Sequence, residues 1–220
     1  MSLQVTSLQD KDVEETLRIQ YLAFRNTSGI GPLLSPNPVP SDEYVVSSSE
    51  KCRLAIKKNK GNHFATVTDP ATNTVIASAH WEFTPAHASE KELEELSSKS
   101  PPPPDANADA WNDFFGYLGE QRRKFLGKTR MGFLHVISTH PDHHRRGAGG
   151  LLMKRYLDAV DEEGIEAYLE ASEAGRPLYA RYGFKPISEK TFDLEKYGGK
   201  GVERNTVMMR DRAGASEVRN

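Results

Sequence analysis

The chain has 220 residues, of which 37% are hydrophobic and 27% charged, and 29 Lys and Arg against 31 Asp and Glu give a net charge of -2. This composition indicates a soluble globular chain with one substantial core and gives no general case for nucleic-acid binding. Its single cysteine, Cys52, excludes an intrachain disulfide framework and a cysteine zinc cluster. No basic start precedes an apolar run and no stretch approaches membrane-spanning length, so we expect no membrane partner and a location in the cytosol, or in cytosol and nucleus.

The first 58 residues predict a strand and two helices. Weak alternation favours a strand over residues 3–8, and Asp10 or Asp12 can cap the helix that follows and ends near Asn26. The apolar face of that helix consists of Val13, Leu17, Tyr21 and Phe24. Glycines and prolines make residues 27–41 a loop, and a second helix runs from there to about Lys58.

A hairpin follows, with strands over 63–68 and 74–83 joined by a turn through Asp69, Pro70 and Asn73. The core face of the second strand carries Val75, Ala77, Ala79, Trp81 and Phe83. The opposite face places His80 and Glu82 side by side. This second face is either solvated or the wall of a cleft, and for His80 we favour solvent.

Residues 84–130 interrupt the strands. We expect a short helix over 89–96, a stiff connector at Pro101 to Pro104, and a longer helix over 109–126. The longer helix carries Trp111, Phe114, Phe115 and Leu118. Aromatic residues at this spacing favour a core face, although such a helix between two strands can also cover one end of a site.

Residues 131–153 predict a strand, an anion-binding turn and the start of a helix. Apolar residues from Phe133 to Ile137 end at Pro141, and Gly147, Gly149 and Gly150 precede residues at helical spacing. A glycine-rich turn that opens a helix leaves backbone N–H groups free for an anion. The turn lacks the Lys-Ser/Thr of a P-loop and the G-x-G-x-x-G spacing of a dinucleotide site. Taken alone, it fits a solvated helix start equally well.

The remaining residues predict a second parallel strand and a closing hairpin. A strand over 165–171 completes a right-handed crossover unit, and a short helix follows with Pro177 in its first turn and Gly183 at its end. Strands over 184–192 and 202–209 close the fold. Residues 211–220 form a flexible tail.

Two motifs resemble those of the GNAT (GCN5-related) N-acetyltransferases. The segment His144-Arg145-Arg146-Gly147-Ala148-Gly149 resembles the acyl-CoA pyrophosphate loop Gln/Arg-x-x-Gly-x-Gly/Ala of that family. The segment Leu178-Tyr179-Ala180-Arg181-Tyr182-Gly183-Phe184 resembles the second signature, Leu-Tyr-x-x-x-Gly-Phe, and begins 31 residues after Gly147. There are two departures: His144 stands where the family usually has Gln or Arg, and Ser172 where members often carry Asn.

The resemblance implies an α+β GNAT fold with a mixed, mostly antiparallel sheet flanked by helices, in a single domain over 1–210 that carries 84–130 as a helical insertion. It also implies direct transfer of an acetyl group from the co-substrate acetyl-CoA to an amine. The expected CoA-binding residues are Val136, Ile137, Ser138, His144, Arg145, Arg146, Gly147, Ala148, Gly149, Gly150, Ser172 and Tyr179. We expect no metal, because the clustered histidines at 140, 143 and 144 have one nearby acid, Asp142, and two adjoining arginines.

Catalysis requires removal of a proton from the amine, donors for the oxyanion, and an acid for the leaving thiolate. By resemblance, Tyr179 is that acid, and the strand that enters the loop supplies backbone N–H groups. The base is His135, Glu82 or a water chain, and the residues leave this choice open.

The acceptor does not follow from the sequence. A small amine such as an arylalkylamine or a polyamine is our first expectation, a protein amine is the second, and the enzyme is a monomer or homodimer. Two other functions compete with catalysis: a non-catalytic acyl-CoA-binding sensor on the same fold, and a nucleotide-phosphate-binding α/β protein.

Overall fold

The computed structural model describes residues 2–58 and 61–214. One seven-stranded sheet runs through them, in the order β1-β2-β3-β4-β5-β7-β6. Its strands are β1 (Gln4–Ser7), β2 (Asn62–Asp69), β3 (Thr74–Thr84), β4 (Met131–Thr139), β5 (Glu166–Ser172), β6 (Lys185–Asp193) and β7 (Val202–Arg210). Only β4 and β5 pair in parallel; the other neighbours are antiparallel. The predicted mixed, mostly antiparallel sheet is therefore confirmed.

Seven helices accompany the sheet within the described residues: α1 (Val13–Thr27), α2 (Gly31–Leu34), α3 (Asp42–Lys58), α4 (Glu90–Ser97), α5 (Ala108–Phe125), α6 (Ala148–Glu162) and α7 (Arg176–Arg181). The insertion forms α4 and α5, as predicted. Ser89 begins α4 with a capping box to Glu92, and the Asn107 side chain caps α5. Among these helices, none is both long and apolar enough to cross a bilayer.

The core lies on both faces of the sheet, because successive residues of a strand point to opposite sides. On one face, Leu134 of β4 and Leu169 of β5 join the buried side of α6. On the other face, Phe133 and Tyr168, the residues that precede them, pack with Tyr117 of α5. The inserted helix α5 thus covers the sheet opposite α6, and its aromatic residues are mainly core.

Two local predictions are wrong in the N-terminal region. Phe24 is 40% exposed, and the buried side of α1 instead includes Thr16, Ile19 and Ala23. The predicted loop at 27–41 contains the one-turn helix α2. A Cβ atom on Gly31 would lie 2.4 Å from the carbonyl oxygen of Phe24, so only glycine lets α2 approach α1 this closely. Of the predicted C-terminal tail, residues 215–220 lie outside the described residues.

Gly132 allows β4 to pack tightly against α6. A Cβ atom there would lie 2.5 Å from Cγ2 of Val160 and 3.2 Å from the hydroxyl of Tyr156. That hydroxyl donates a 2.6 Å hydrogen bond to the carbonyl oxygen of Gly132. Any side chain at this position must displace both neighbours.

We expect Gly132→Ala to lower the free energy of unfolding by about 1–3 kcal/mol through overpacking. Gly116→Ala is the matched control: no atom lies within 4 Å of its added Cβ atom, and Ala in a helix interior stabilises by up to about 1 kcal/mol. Urea denaturation of both variants measures the difference. Equal effects of the two substitutions would contradict the close packing of β4 on α6.

Candidate active site at the end of the parallel strand pair

The two parallel strands pair over only part of their length. Their ladder ends where Leu134 lies opposite Leu169, although β4 continues to Thr139 and β5 to Ser172. On its other side β4 stays paired with β3 up to Thr139. The last residues of β4 therefore have one row of backbone N–H and C=O groups directed at an opening rather than at β5. Val136, Ile137 and Ser138, three of the predicted CoA-binding residues, form this edge.

A helix start with free N–H groups stands at the end of the opening. Gly147 caps α6 with φ +88°, and no side chain caps the helix. The first α6 bond of the i→i−4 type runs from the Leu151 N–H to the Gly147 carbonyl. The N–H groups of Ala148, Gly149 and Gly150 precede it and have no intrahelical acceptor. These groups and the helix dipole favour an anion.

Side chains of the loop brace it against neighbouring strands. Arg146 donates from Nη2 to Oδ2 of Asp69 at 2.7 Å and from Nη1 to Nδ1 of His143 at 2.8 Å. The bond from Arg146 holds the pKa of the Asp69 carboxyl below its usual value. His144 donates from Nε2 to the carbonyl oxygen of Thr139 at 3.1 Å, which ties the loop to the end of β4. Arg145 is exposed, adopts φ +59°, and has no ion pair among the described residues.

A bulge in β4 brings His135 and Glu82 together. His80 lies opposite Val136 and Trp81 opposite Leu134, so His135 has no cross-strand partner and is the extra residue. Its Nε2 lies 2.8 Å from Oε1 of Glu82. Both side chains are largely buried, with exposed fractions of 24% and 13%.

His80 is half-buried rather than solvated, so the expectation for this residue is wrong. Its ring stacks on Phe64 with 4.1 Å between centroids and on His135 with 4.4 Å. Its Nε2 lies 2.9 Å from Oδ1 of Asn62. Burial, and then the proximity of His135, lower the pKa of His80 to about 2. The second face of β3 is therefore an interior wall.

A second charged group on the α5 face escaped sequence reasoning. Arg122 of α5 binds Glu170 of β5 through two bonds, Nε to Oε1 at 2.8 Å and Nη2 to Oε2 at 2.6 Å. Tyr168 donates its hydroxyl to Oε1 of Glu170 at 3.1 Å. The guanidinium lies 5.1 Å above the ring of Phe133, which in turn contacts His135. The alternation of β5 puts Glu170 on this face, but no local pattern indicates a contact across 48 residues.

Ser172, the last residue of β5, and Tyr179 of α7 both border Gly175. Ser172 Oγ accepts the N–H of Gly175 at 3.2 Å and so shapes the turn into α7. A Cβ atom on Gly175 would lie 2.8 Å from the ring of Tyr179 and 3.4 Å from Oγ of Ser172, so glycine leaves room for both side chains. Burial raises the pKa of Tyr179 to about 12, and no hydrogen-bond partner for its hydroxyl occurs among the described residues. Tyr182 instead donates to the carbonyl of Gly150 and packs α7 on α6.

The predicted site residues thus form three groups, one of which is Ser172 with Tyr179 beside Gly175. The loop and the edge of β4 meet at one end of the β4–β5 opening, and His135 with Glu82 lies at the other end, where the ladder closes. Across residues 2–58 and 61–214, no three His, Cys, Asp or Glu side chains are arranged to hold a metal ion. Two of the clustered histidines, His143 and His144, instead bond Arg146 and the Thr139 carbonyl oxygen, respectively.

Solved structures with this fold include several acetyltransferases. Arylalkylamine N-acetyltransferase 2 from Aedes aegypti superposes with a TM-score of 0.70 at 10% identity, covering 96% of this chain and 99% of the other. Drosophila melanogaster polyamine N-acetyltransferase, which forms N-acetylagmatine, superposes with a TM-score of 0.63 at 13% identity, covering 96% of this chain and 100% of the other. The PaiA N-acetyltransferase of Thermoplasma acidophilum, solved with coenzyme A, superposes with a TM-score of 0.54 at 15% identity, covering 96% of this chain and 99% of the other.

At these identities the superpositions establish the fold alone. No curated protein sequence matches the chain significantly. The family model of the GNAT acetyltransferases matches residues 73–184, just over half of the chain, and spans β3, the insertion, the glycine loop and the Leu-Tyr-x-x-x-Gly-Phe segment. The chain is therefore a member of the GNAT family of N-acetyltransferases.

Proposed function

We propose that this acetyltransferase acetylates a small amine by direct transfer from acetyl-CoA. The observation that carries the proposal is the His135–Glu82 pair at 2.8 Å, set in the β4 bulge where the β4–β5 ladder ends. A histidine bonded to a carboxylate thereby lies beside an open backbone edge, which supports a role in proton transfer. Such a pair suits the deprotonation of an amine and is not needed for binding an acyl-CoA alone.

The chain has the groups that acetyl-CoA needs. The uncapped α6 start with Ala148, Gly149 and Gly150 fits a pyrophosphate, and the exposed Arg145 is close enough in sequence to add charge. The open edge at Val136, Ile137 and Ser138 fits the amide groups of a pantetheine arm. Bound acetyl-CoA supplies the acetyl group and a thiolate leaving group. The braces from Arg146 and His144 hold the loop in place for this contact.

His135 is the base in this proposal, and Glu82 positions it. When Glu82 accepts the Nε2 proton, Nδ1 carries the lone pair that removes a proton from the amine. The carboxylate then stabilises the imidazolium that forms, as in other His–carboxylate pairs. Glu82 therefore acts through His135. The neighbouring His80 stays neutral because of burial, so it keeps the ring of His135 in place without adding a competing charge.

In this proposal the backbone supplies the donors for the oxyanion, and Tyr179 stabilises the leaving thiolate. N–H groups of the β4 edge near Val136 and Ile137 can donate to the oxyanion. A phenol with a pKa of about 12 is a weaker acid than a thiol of pKa ~8.5, so complete proton transfer to the thiolate is uphill. Tyr179 is therefore expected to stabilise the thiolate as a hydrogen-bond donor, and burial without another partner leaves its hydroxyl available.

A small amine is the acceptor that the surroundings favour. Beside His135 the α5 face consists of the buried Phe133 and Tyr168 and of the Arg122–Glu170 pair, whose side chains are 17% and 7% exposed, so this side of the base offers no broad exposed surface to a protein within the described residues. Two of the superposed structures are enzymes for arylalkylamines and polyamines, which agrees with this size class.

The direct test is an acetyl-CoA assay that follows thiol release over a panel of arylalkylamines, polyamines and a lysine peptide. We expect turnover with small amines. His135→Ala should lower kcat by about 100-fold or more, because a general base contributes at least that factor. Tyr179→Phe should lower kcat by roughly 10- to 100-fold, the value of a hydrogen bond to a charged group. Binding of CoA without turnover of any acceptor would support a sensor instead, and an unchanged kcat for Tyr179→Phe would remove its assigned role.

Gly147→Glu should weaken CoA binding at least tenfold, because it adds bulk and negative charge at an anion site. Gly164→Glu is a matched control at the other end of α6. Both glycines have positive φ, +88° and +64°, and neither has an atom within 4 Å of an added Cβ atom. Calorimetric titration with CoA should show the loss for the first variant only. Equal affinities would rule out the loop as the pyrophosphate site.

The buried His80 predicts an acid sensitivity of the fold. In the unfolded chain the imidazole takes up a proton near its ordinary pKa of ~6.5, whereas the folded protein keeps it neutral. Stability is therefore lost as the pH falls below that value, by up to about 2 kcal/mol at pH 5. His80→Phe keeps a ring in the stack and removes the titrating group, so its free energy of unfolding should fall less between pH 7 and 5. Parallel pH profiles of the two proteins would contradict a neutral His80.

A further inference from the structure

Strand β7 carries buried polar side chains that the proposed mechanism does not use, and two of them lie on the same face. Glu203 and Asn205 are 6% and 4% exposed. Asn205 lies opposite Ser172 of β5, and Val207, the next residue on that side, lies opposite Glu170. Directly opposed residues share a face, so all of these belong to the α5 face, on the side where the β4–β5 opening lies.

Neither side chain forms an ion pair within the described part of the chain. The Oδ1 atom of Asn205 is buried and has no hydrogen-bond partner among the described residues. Glu203 accepts the N–H of Gly29 at 2.7 Å and is also hydrogen-bonded by the Ser28 side chain and the Ile30 N–H, so its carboxylate has neutral donors but no Lys, Arg or His. Burial raises the pKa of the Glu203 carboxyl, as expected for an acid without a cation. A buried amide oxygen without a hydrogen-bond partner and a buried carboxylate without a cation are both uncommon, because each costs desolvation free energy that is not fully offset.

The cations nearby are engaged elsewhere. Lys190 of β6 lies opposite Asn205, but its ammonium sits over the rings of Tyr117 and Phe192, at 5.2 and 4.8 Å. Arg122 is bound by both oxygens of Glu170. Among residues 2–58 and 61–214, the pair therefore presents a carboxylate and an amide oxygen to which no Lys or Arg is bonded.

Three segments are bonded together around this pair. The N–H of Asn107, at the start of α5, donates to the carbonyl of Leu33, and its side chain donates to the carbonyl of Tyr197. Gly29 rests directly on Glu203, because a Cβ atom there would meet the carboxylate at 3.2 Å. The loop before α2, the insertion and the last hairpin thus enclose one end of the α5 face.

We propose that Glu203 and Asn205 recognise a second, cationic nitrogen group of the acceptor, so that the preferred substrate is a guanidino-amine or a diamine rather than a monoamine. This inference rests on the proposed function. Residues two apart on a strand are roughly 7 Å apart, a spacing that a planar guanidinium with donors on two edges can bridge. From β7 to β4 the distance is two strand spacings, on the order of 10 Å, which a short aliphatic chain spans between this pair and His135.

The first experiment compares kcat/KM for agmatine and for n-pentylamine, which lacks the second cation. The unsubstituted enzyme should prefer agmatine, and in Asn205→Leu the ratio should fall about tenfold, the value of one hydrogen bond to a charged group. Asn112→Leu, on the exposed side of α5 where Asn112 bonds only Lys99, is the matched control and should keep the ratio. An enzyme that prefers n-pentylamine, or a variant that loses both substrates equally, would overturn the inference.

A second variant separates recognition from folding. Glu203→Gln keeps an oxygen that accepts the Gly29 N–H but removes the charge and one acceptor oxygen, while Ser28 and Ile30 also bond this side chain. We expect a cooperative unfolding transition with a small decrease in Tm, together with a fall of about tenfold in the agmatine to n-pentylamine ratio. If the ratio stays the same, Glu203 only anchors the loop and the assignment fails.

Direct binding distinguishes this inference from the proposed function. Calorimetric titration of agmatine into the CoA-saturated protein should give binding that Asn205→Leu weakens about tenfold. If such binding occurs while no amine is acetylated, the proposed function fails and the recognition site stands. If n-pentylamine and agmatine are acetylated with equal kcat/KM, the proposed function stands and the recognition site fails.

Discussion

The structure depends on the point where β4 and β5 cease to pair, after Leu134 and Leu169. Up to that point the ladder holds the two halves of the sheet together. Beyond it, β4 is bonded only to β3, and its other edge is open. The bulge at His135 lies next to the last paired residue of β4, Leu134. The extra residue of a bulge twists the strand and changes the direction of its side chain. The end of the ladder therefore leaves a backbone edge open, and the bulge beside it brings His135 to Glu82.

Electrostatic pairing explains why the face around this opening is so ordered. The carboxylate of Glu170, with 7% of its side chain exposed, is stabilised by a bonded cation, Arg122, which the inserted helix supplies. Arg122 also lies over Phe133, so the charge pair is fixed by packing as well as by hydrogen bonds. The insertion thus closes the sheet opposite α6 and contributes to the wall beside His135. Glu203 differs from Glu170 in that its donors, Gly29, Ser28 and Ile30, carry no charge.

Much of the fold could be predicted from sequence patterns, because they reflect local constraints. Alternation and turn residues located the β2–β3 hairpin to within one residue, and Gly147 with its neighbours located the start of α6. The prediction that Phe24 is a core residue was wrong, because helical spacing does not say which side of the helix meets the sheet. The prediction that His80 faces solvent was wrong, because the second face of β3 is buried but carries polar residues and so gives no apolar signal. Arg122 with Glu170, and Glu203 with Gly29, join residues far apart in the chain and have no local pattern.

The sequence by itself determined the order of elements, the glycine turn that opens α6 and the two motifs of the GNAT family, since each depends on backbone conformations and spacings written within a few residues. Only the tertiary structure decided that the parallel ladder stops after Leu134, that His135 bonds Glu82, and that the buried Oδ1 atom of Asn205 finds no hydrogen-bond donor in the described part of the chain. These facts follow from strand register and from packing between distant segments. A one-residue bulge or shift changes them without altering any pattern in the sequence.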